Sequence, residues 1–518
     1  MSQISEENTP PLSRTDIQFT LLIGFAALAL YIRTLAPSLL WGDSAEFQTL
    51  SYTLGMTHPT GYATQIVIGK LFTLIPIHNI AYRVNLMSAF FGALAVANTY
   101  LIVLLLTNQR IAGLSAAMTL AFTDVFWWHA VITESYAPAS GMLSTVWLCF
   151  LLWRKTGEPN YLFLAGLTGA LSIGIHSTVV MTAPSVLILM LLTARDRNAW
   201  IKASLGAILG VAIFLCLFFF LDFHNPPSSV ENVTFRPNLS AIGLTDEQYN
   251  SPVTRFLTTF PASHFWSYYF TAEPSEIHRR LLEYFSSFTI WQLLLILIGM
   301  VALLLQKNWQ DGLYPFVSFL IIWGFAVTVS FSVYEEFYTP VAVMTSIWLG
   351  AGAGLILSAT DRLLKQNQTF GQLTRIVVMG LLISLPIWNA RLNLVPAIKN
   401  GYTAYIQKNH IYPIFRPNKA IQDAQKIIRR VKPNAIVLSD WDKVYSLVYT
   451  AQIEGDRKDI TFHEAWMTDD QVFAQSMIAY INANIDTRPI YFTVDMPGMY
   501  DLYNITQLDD GFYQVTRK

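Results

Sequence analysis

Trp41-Gly42-Asp43-Ser44-Ala45-Glu46-Phe47, followed by His58-Pro59-Thr60-Gly61-Tyr62, is the stretch around which the chain is organised. It comes just after the first apolar run, where the chain is expected to emerge at a membrane surface. Two carboxylates three residues apart, with a histidine close behind, are unusual in a chain that is 53% hydrophobic, 14% aromatic and only 13% charged. A soluble protein carries about 25% charged residues, so half that share implies that much of this chain faces lipid. The net charge of −1 offers no global field for nucleic acid.

Working outward, a bilayer core takes about 20 apolar residues per helix, in a range of roughly 17–25. On that rule about eleven spans are expected, near 17–36, 84–107, 111–128, 137–153, 161–177, 179–194, 203–222, 286–306, 313–333, 340–358 and 376–390. The fold class is therefore a polytopic α-helical membrane protein. Residues 1–16 read as a cytoplasmic N-terminus and the first run as a retained anchor, since no small-residue cleavage site follows it. Residues 63–77 are apolar but carry Lys70 and stop at Pro76, which suits an interfacial or re-entrant helix.

Alternate short loops hold Arg110, then Arg154 and Lys155, then Arg195, Arg197 and Lys202, then Lys307, then Arg362, Lys365 and Arg375. The positive-inside bias makes these cytoplasmic. The loops between them, near 129–136, 176–178 and 334–339, hold no lysine or arginine. Asp43, Glu46, His58, His129, Glu134, His176, Asp222, His224, Glu335 and Glu336 all fall on the non-cytoplasmic side of this topology. So do the first outer loop, 37–63, and a long outer loop, 223–285. The latter carries Arg255, His264 and the run Phe265-Trp266-Ser267-Tyr268-Tyr269-Phe270, which suits an amphipathic cover at headgroup level.

Residues 391–518 have the composition of a soluble α/β domain on that same side. Helices are expected over Lys419–Val431, Asp442–Ile453 and Asp469–Ile485, and strands over Ala435–Ser439, Asp459–Phe462 and Pro489–Val494. That alternation favours a small, largely parallel sheet. Cys149 and Cys216 both fall in apolar runs and read as buried fillers, with no disulfide framework. The absence of paired cysteines favours a bacterial inner membrane over the secretory pathway.

Several residues carry both a plain and a chemical reading. Asp43 and Glu46 have capping-box spacing; they equally suit a general base with its support, or a divalent-metal pair, though two carboxylates alone seldom define a metal site. His58 ends a loop at a turn signal, or holds a phosphate or orients Asp43. Glu134 is a first-turn acid or a site residue, and the Glu335-Glu336 pair is solvated loop charge or part of a site. Arg255, Arg279 and Arg280 are surface charge or a binding place for an anionic headgroup. No zinc spacing, P-loop or nucleophile elbow occurs.

The first loop, together with Arg83-Val84-Asn85-Leu86, resembles the domain of unknown function 2723 family of GT-C membrane glycosyltransferases, which includes eukaryotic protein O-mannosyltransferases acting on plexin-type receptors. Phe126-Trp127 through Ala130 with Glu134 and Tyr136 resembles the family's second outer loop, and Gly174 with His176 its third. Ile453-Glu454-Gly455-Asp456-Arg457-Lys458-Asp459 resembles an acidic-basic run of its C-terminal part, although the tail is shorter than in eukaryotic members. The resemblance implies transfer of a sugar, such as mannose, from a polyprenyl-phosphate donor in the bilayer to an acceptor protein, with no cofactor required. Asp43 matches the acidic position and would be the general base. Glu46, His58, Tyr62, Arg83, Glu134, Tyr136, His176, Arg255 and Glu335 are the donor- and substrate-binding candidates. His58, His176 and Arg255, in that order, are the expected cationic donors to the departing phosphate. Transfer onto a lipid or glycan, and solute transport, are the competing readings; the uncharged middle of most spans and the absence of a visible inverted repeat weigh against transport.

Overall fold

The computed structural model describes residues 12–331, 333–400, 418–467 and 472–518. Most of the expected N-terminal segment, and the start of the expected helix at 469, lie outside them. Among the described residues, seven helices are long and apolar enough to cross a membrane. They are Arg14–Thr34, Ile80–Thr107, Tyr136–Thr156, Arg197–His224, Gln310–Thr328, Tyr334–Gln366 and Gln368–Trp388. Two bent pairs are long and apolar enough only when taken together, as a broken span or a re-entrant loop: Arg110–Phe122 with Asp124–Ala130, at 69°, and Pro274–Ser286 with Ile290–Leu305, at 98°.

The remaining two of the expected eleven are helical but short. Asn160–Ser172 has 13 residues, which at 1.5 Å each gives about 20 Å, less than the roughly 30 Å bilayer core. The other is Ser177–Thr193. The loop carrying His176 breaks the uncharged stretch from Pro159 to Ala194 between them, at the turn expected at His176-Ser177 in a stretch too long for one crossing. Ala63–Thr73 is an 11-residue helix and not a span, again as expected. The final helix, Gln368–Asn400, runs past the expected boundary at 391. Cys149 is buried, but Cys216 is exposed on Arg197–His224, so it is not a core filler.

Hydrogen bonds and ion pairs join the helix ends at two opposite places. At one, Arg110 pairs with Asp16 at 2.8 Å, Arg154 with Asp311 at 2.9 Å, and Asp361 accepts from both Gln109 and Arg375. At the other, the three short loops are stitched to one another. Ala36 N–H donates to Val131 O at 2.9 Å and Gln65 N–H to Gly174 O at 3.0 Å. Asn85 Nδ2 donates to Ala36 O, and Gln48 Nε2 to Asn85 Oδ1, both at 2.8 Å.

The C-terminal region carries a five-stranded sheet in the order β2-β1-β3-β5-β4. Strand β1 (Ile436–Ser439) lies between β2 (Thr461–Glu464) and β3 (Ile490–Phe492), parallel to both. Strands β4 (Tyr503–Asp509) and β5 (Phe512–Arg517) form an antiparallel hairpin that the sequence reading did not include. One face of the sheet is not independent of the membrane region. Phe47, Leu50 and Ile66 of the first-loop region, Val233 and Phe235 of the long loop, and Val437, Val444 and Leu447 of the sheet domain belong to one buried apolar cluster. Removing this much apolar surface from water, at about 25 cal/mol per Å², fixes the domain on the helix Gly42–Thr53.

Candidate active site

Gly42 has φ +54°, a left-handed conformation that suits glycine, and it starts the helix Gly42–Thr53. The cap residue is Trp41 and makes no side-chain cap bond, so Asp43 and Glu46 do not form a capping box. The two carboxylates face His58 instead. Glu46 is fully buried; its Oε1 accepts from His58 N–H at 2.7 Å, and its Oε2 lies 2.5 Å from His58 Nδ1. On the other side of the imidazole, Nε2 is 3.7 Å from Asp43 Oδ2. Asp43 is 38% exposed at its side chain, and its Oδ1 accepts from Trp441 Nε1–H at 2.6 Å.

Electrostatics follow from this line of groups. Burial alone would lower the His58 imidazole, but the carboxylates of Glu46 and Asp43 beside it lift it to about 9. Burial raises the Glu46 carboxyl, against the opposing pull of His58. Both shifts describe one proton retained between the two side chains. With both Glu46 oxygens engaged by His58, the Asp43–Glu46 pair does not make a metal chelate. No group of three or more metal-ligating side chains occurs among the described residues.

Asp43 and His58 open onto a cavity of about 150 Å³. Tyr62, Tyr136, His176 and Glu336 complete its polar side, and Met181, Phe265, Tyr269, Phe325, Phe331 and Phe337 make apolar walls. The Tyr62 ring lies 4.9 Å from His58 and 5.9 Å from His176, and Tyr136 lies 4.5 Å from His176. His176 Nδ1 accepts from Thr178 N–H at 3.1 Å. Burial, then the neighbouring His58, hold it down to about 3, so it is neutral at physiological pH with its proton on Nε2. Gly174 permits this loop to close in: a Cβ there would lie 2.7 Å from the Phe214 ring and 2.9 Å from Thr64 N.

Phe265 and Tyr269 come from the long loop and form part of the cavity wall. Trp266, Phe270 and Leu282 on the same loop are 58%, 72% and 63% exposed, an apolar surface suited to the headgroup region. Of His264, only the backbone position falls within the description.

The other expected residues divide. Glu134 is buried behind the cavity and accepts from Ser44 Oγ–H at 3.1 Å, bracing the first loop. Arg83 is away from the cavity; it donates to Thr73, Ile77 and His78 carbonyls and closes the end of Ala63–Thr73. Arg255 is not available to a phosphate, because its guanidinium bonds both Asp222 oxygens, at 2.6 and 2.7 Å, and the carbonyls of Tyr249 and Asn250. Glu335 meets the Tyr334 hydroxyl at 3.4 Å, and its neighbour Glu336 takes the cavity position.

Trp441 was not foreseen. Its one sequence signal is position: it opens the helix after β1, and open α/β sheets bind ligands outside the carboxyl ends of their strands.

The whole-chain fold has counterparts among solved structures. Crystal structures of ArnT from Cupriavidus metallidurans match with TM-scores of 0.55 (bound to undecaprenyl phosphate) and 0.54 (apo state), at 12% identity. They cover 97% of this chain, and 97% and 98% of their own. The fold is thus of the GT-C class expected from the first loop.

Sequence comparison then points to a particular group within it. Residues 43–200 match the family model of the Protein O-mannosyl-transferase TMEM260 N-terminal domain. Protein O-mannosyl-transferase TMEM260 of Mus musculus is 35% identical over 115 residues, 22% of this chain and 16% of the relative. The Dictyostelium discoideum protein of that name is 26% identical over 228 residues, 40% of this chain and 28% of the relative. The chain therefore aligns with less than a third of either relative's length. Asp43, His58, Tyr62, Tyr136 and His176 lie in the family-matched stretch; Glu336 and Trp441 do not.

Proposed function

We propose that this protein is a membrane glycosyltransferase. It moves a sugar, such as mannose, from a polyprenyl-phosphate carrier to a serine or threonine hydroxyl of an acceptor protein on the non-cytoplasmic face. The observation that carries this reading is Asp43: held at Oδ1 by Trp441, it presents Oδ2 beside His58 at a cavity walled by aromatic rings. The GT-C fold shared with ArnT, whose crystal structure was solved with undecaprenyl phosphate, supports a lipid-linked donor. The names of the mouse and Dictyostelium relatives support mannose and a protein acceptor.

Asp43 Oδ2 takes the acceptor hydroxyl proton as that oxygen attacks the anomeric carbon. The new glycosidic C–O bond forms as the bond from the anomeric carbon to the phosphate oxygen breaks, and the lipid phosphate departs with that electron pair. A single displacement inverts the anomeric centre. Glu46 keeps His58 protonated, so an imidazolium faces the cavity where the phosphate charge develops. Neither lysine nor arginine is among the described residues lining this cavity, which leaves that role to His58. His176 contributes a neutral N–H.

Asp43→Asn tests the base: general-base catalysis is worth roughly 10²–10⁴-fold, so turnover falls by that range while the protein remains folded. Near-normal turnover in the purified variant would remove Asp43 from the role. Sidedness is tested by cysteine labelling at Asp246, 82% exposed on the long loop, in a Cys216→Ser background. Ser44 is unsuitable because it is buried and bonded to Thr133 O. Labelling only from the cytoplasm would reverse the topology.

A further inference from the structure

A second cavity, of about 360 Å³, lies at the carboxyl edge of the sheet domain. Its walls are Trp41 of the first loop, Lys419 and Lys426 of the helix Lys419–Ile428, Lys443 after β1, Thr493 after β3, and Gly511 of the β4–β5 turn. This is the place where open α/β sheets bind ligands, and the volume is in the range of about 300–1,000 Å³ usual for ligand sites.

Its position relative to Asp43 is fixed by two short pieces of chain that run side by side. Trp41 lines this cleft and Asp43, two residues on, lines the aromatic cavity. Trp441 bonds Asp43, and Lys443, two residues on, lines the cleft. A Cβ at Gly42 would lie 3.7 Å from Asp442 Oδ1. On each piece, a member of the bonded pair Asp43 and Trp441 stands two residues from a residue of the cleft.

The cleft's charges select among acceptors. Each of its three lysines is paired: Lys419 with Asp423, Lys426 with Asp509 at 2.8 Å, and Lys443 with Asp440 at 2.9 Å. Lys443 also donates to Thr493 O at 3.4 Å. Among the described residues such a surface has no surplus of positive charge for a phosphorylated lipid or an acidic glycan. It suits a neutral, polar ligand that offers donors and acceptors together, with Trp41 and the aliphatic side chains of Ile427 and Leu447 to pack against it.

We propose that this cleft is the acceptor subsite and holds an extended segment of polypeptide adjoining the serine or threonine whose hydroxyl reaches Oδ2 of Asp43 in the aromatic cavity. The proposal rests on the transferase reading above and names its acceptor side. The rest of the aromatic cavity is then left to the donor.

The test uses the full-length protein in detergent with polyprenyl-phosphate mannose and a synthetic serine- and threonine-rich peptide. Lys426→Glu places a negative charge next to Asp509 on the cleft rim, and Lys419→Trp fills the cleft; both positions are partly exposed, at 59% and 41%. In each variant the KM for peptide rises about tenfold, the scale of one lost polar contact, while the KM for the lipid donor and the melting temperature stay unchanged. A peptide KM within about twofold of the unaltered protein in both variants, or a loss falling equally on donor and peptide, would overturn the proposal. Transfer by the unaltered protein to a lipid or glycan but to no peptide would overturn both it and the protein-acceptor reading.

Discussion

Trp441→Phe is the substitution that most directly probes how the site is assembled. It deletes one N–H and keeps an aromatic ring, so the edge contact with His58, at 5.4 Å and 81°, and the packing against Tyr445, at 5.6 Å, can persist. The lost interaction is the 2.6 Å bond to Asp43 Oδ1. A hydrogen bond to a charged group is worth about 1.5–3 kcal/mol. Asp43 is 38% exposed, so water replaces part of it, leaving about 1–2 kcal/mol, a factor of about 5–30. If the bond orients Asp43 for proton transfer, that factor falls on kcat, because the carboxylate samples unproductive rotamers in the bound complex. The KM for donor and the melting temperature change little. The assay is steady-state transfer at several donor and peptide concentrations, with thermal unfolding of the same preparations. A kcat within about twofold of the unaltered protein, or a loss carried entirely by a lower melting temperature, would refute the orienting role.

Other consequences can be measured alongside. The carboxylates beside His58 lift it to about 9, so the folded state keeps a proton that the unfolded chain releases, and stability falls as pH rises from about 6.5 toward 9. Glu46→Gln should flatten that decline in melting temperature between pH 6 and 10; an unchanged profile would mean that the pair does not share a proton. Arg255→Ala strips the partner from buried Asp222 and should cost about 3–5 kcal/mol in chemical denaturation, with the KM for donor preserved in the folded fraction; a selective rise in that KM would restore Arg255 as a phosphate ligand. Glu335→Gln should leave transfer near normal while Glu336→Gln lowers it, and the reverse order in the same assay would show that the wrong member of the pair has been placed in the cavity.

What could be read from the sequence depended on how far apart the interacting residues are. The apolar runs announce helices because one helix is one continuous stretch, and each expected run is helical. The two shortest fall short of full spans: the turn at His176 is where the sequence places it, but apolar composition does not show how many residues on either side stay helical. The first loop was legible because Asp43, Glu46 and His58 lie within sixteen consecutive residues. Glu336 was less so. In the tight turn Tyr334–Phe337 successive side chains point about 120° apart, and a Glu-Glu pair does not say which one faces inward.

Arg255 looked like a phosphate ligand because its partner Asp222 is 33 residues away and only the fold brings them together. The hairpin at the end of the chain is a different case. Its alternating run from Tyr503 to Asp509 and the Asp510-Gly511 turn are hairpin signals in their own right; reading only for strand–helix alternation passes over them. Trp441, 398 residues from Asp43, could be placed at a strand end but not at a carboxylate.

That long separation also sets a schedule. Asp43 leaves the ribosome 398 residues before Trp441, an interval of about 20–80 s at 5–20 residues per second. Throughout membrane insertion the first loop carries its carboxylate without the indole that holds it. The nascent chain is therefore unable to assemble a finished centre until Trp441 has been made, and commitment to activity coincides with docking of the sheet domain.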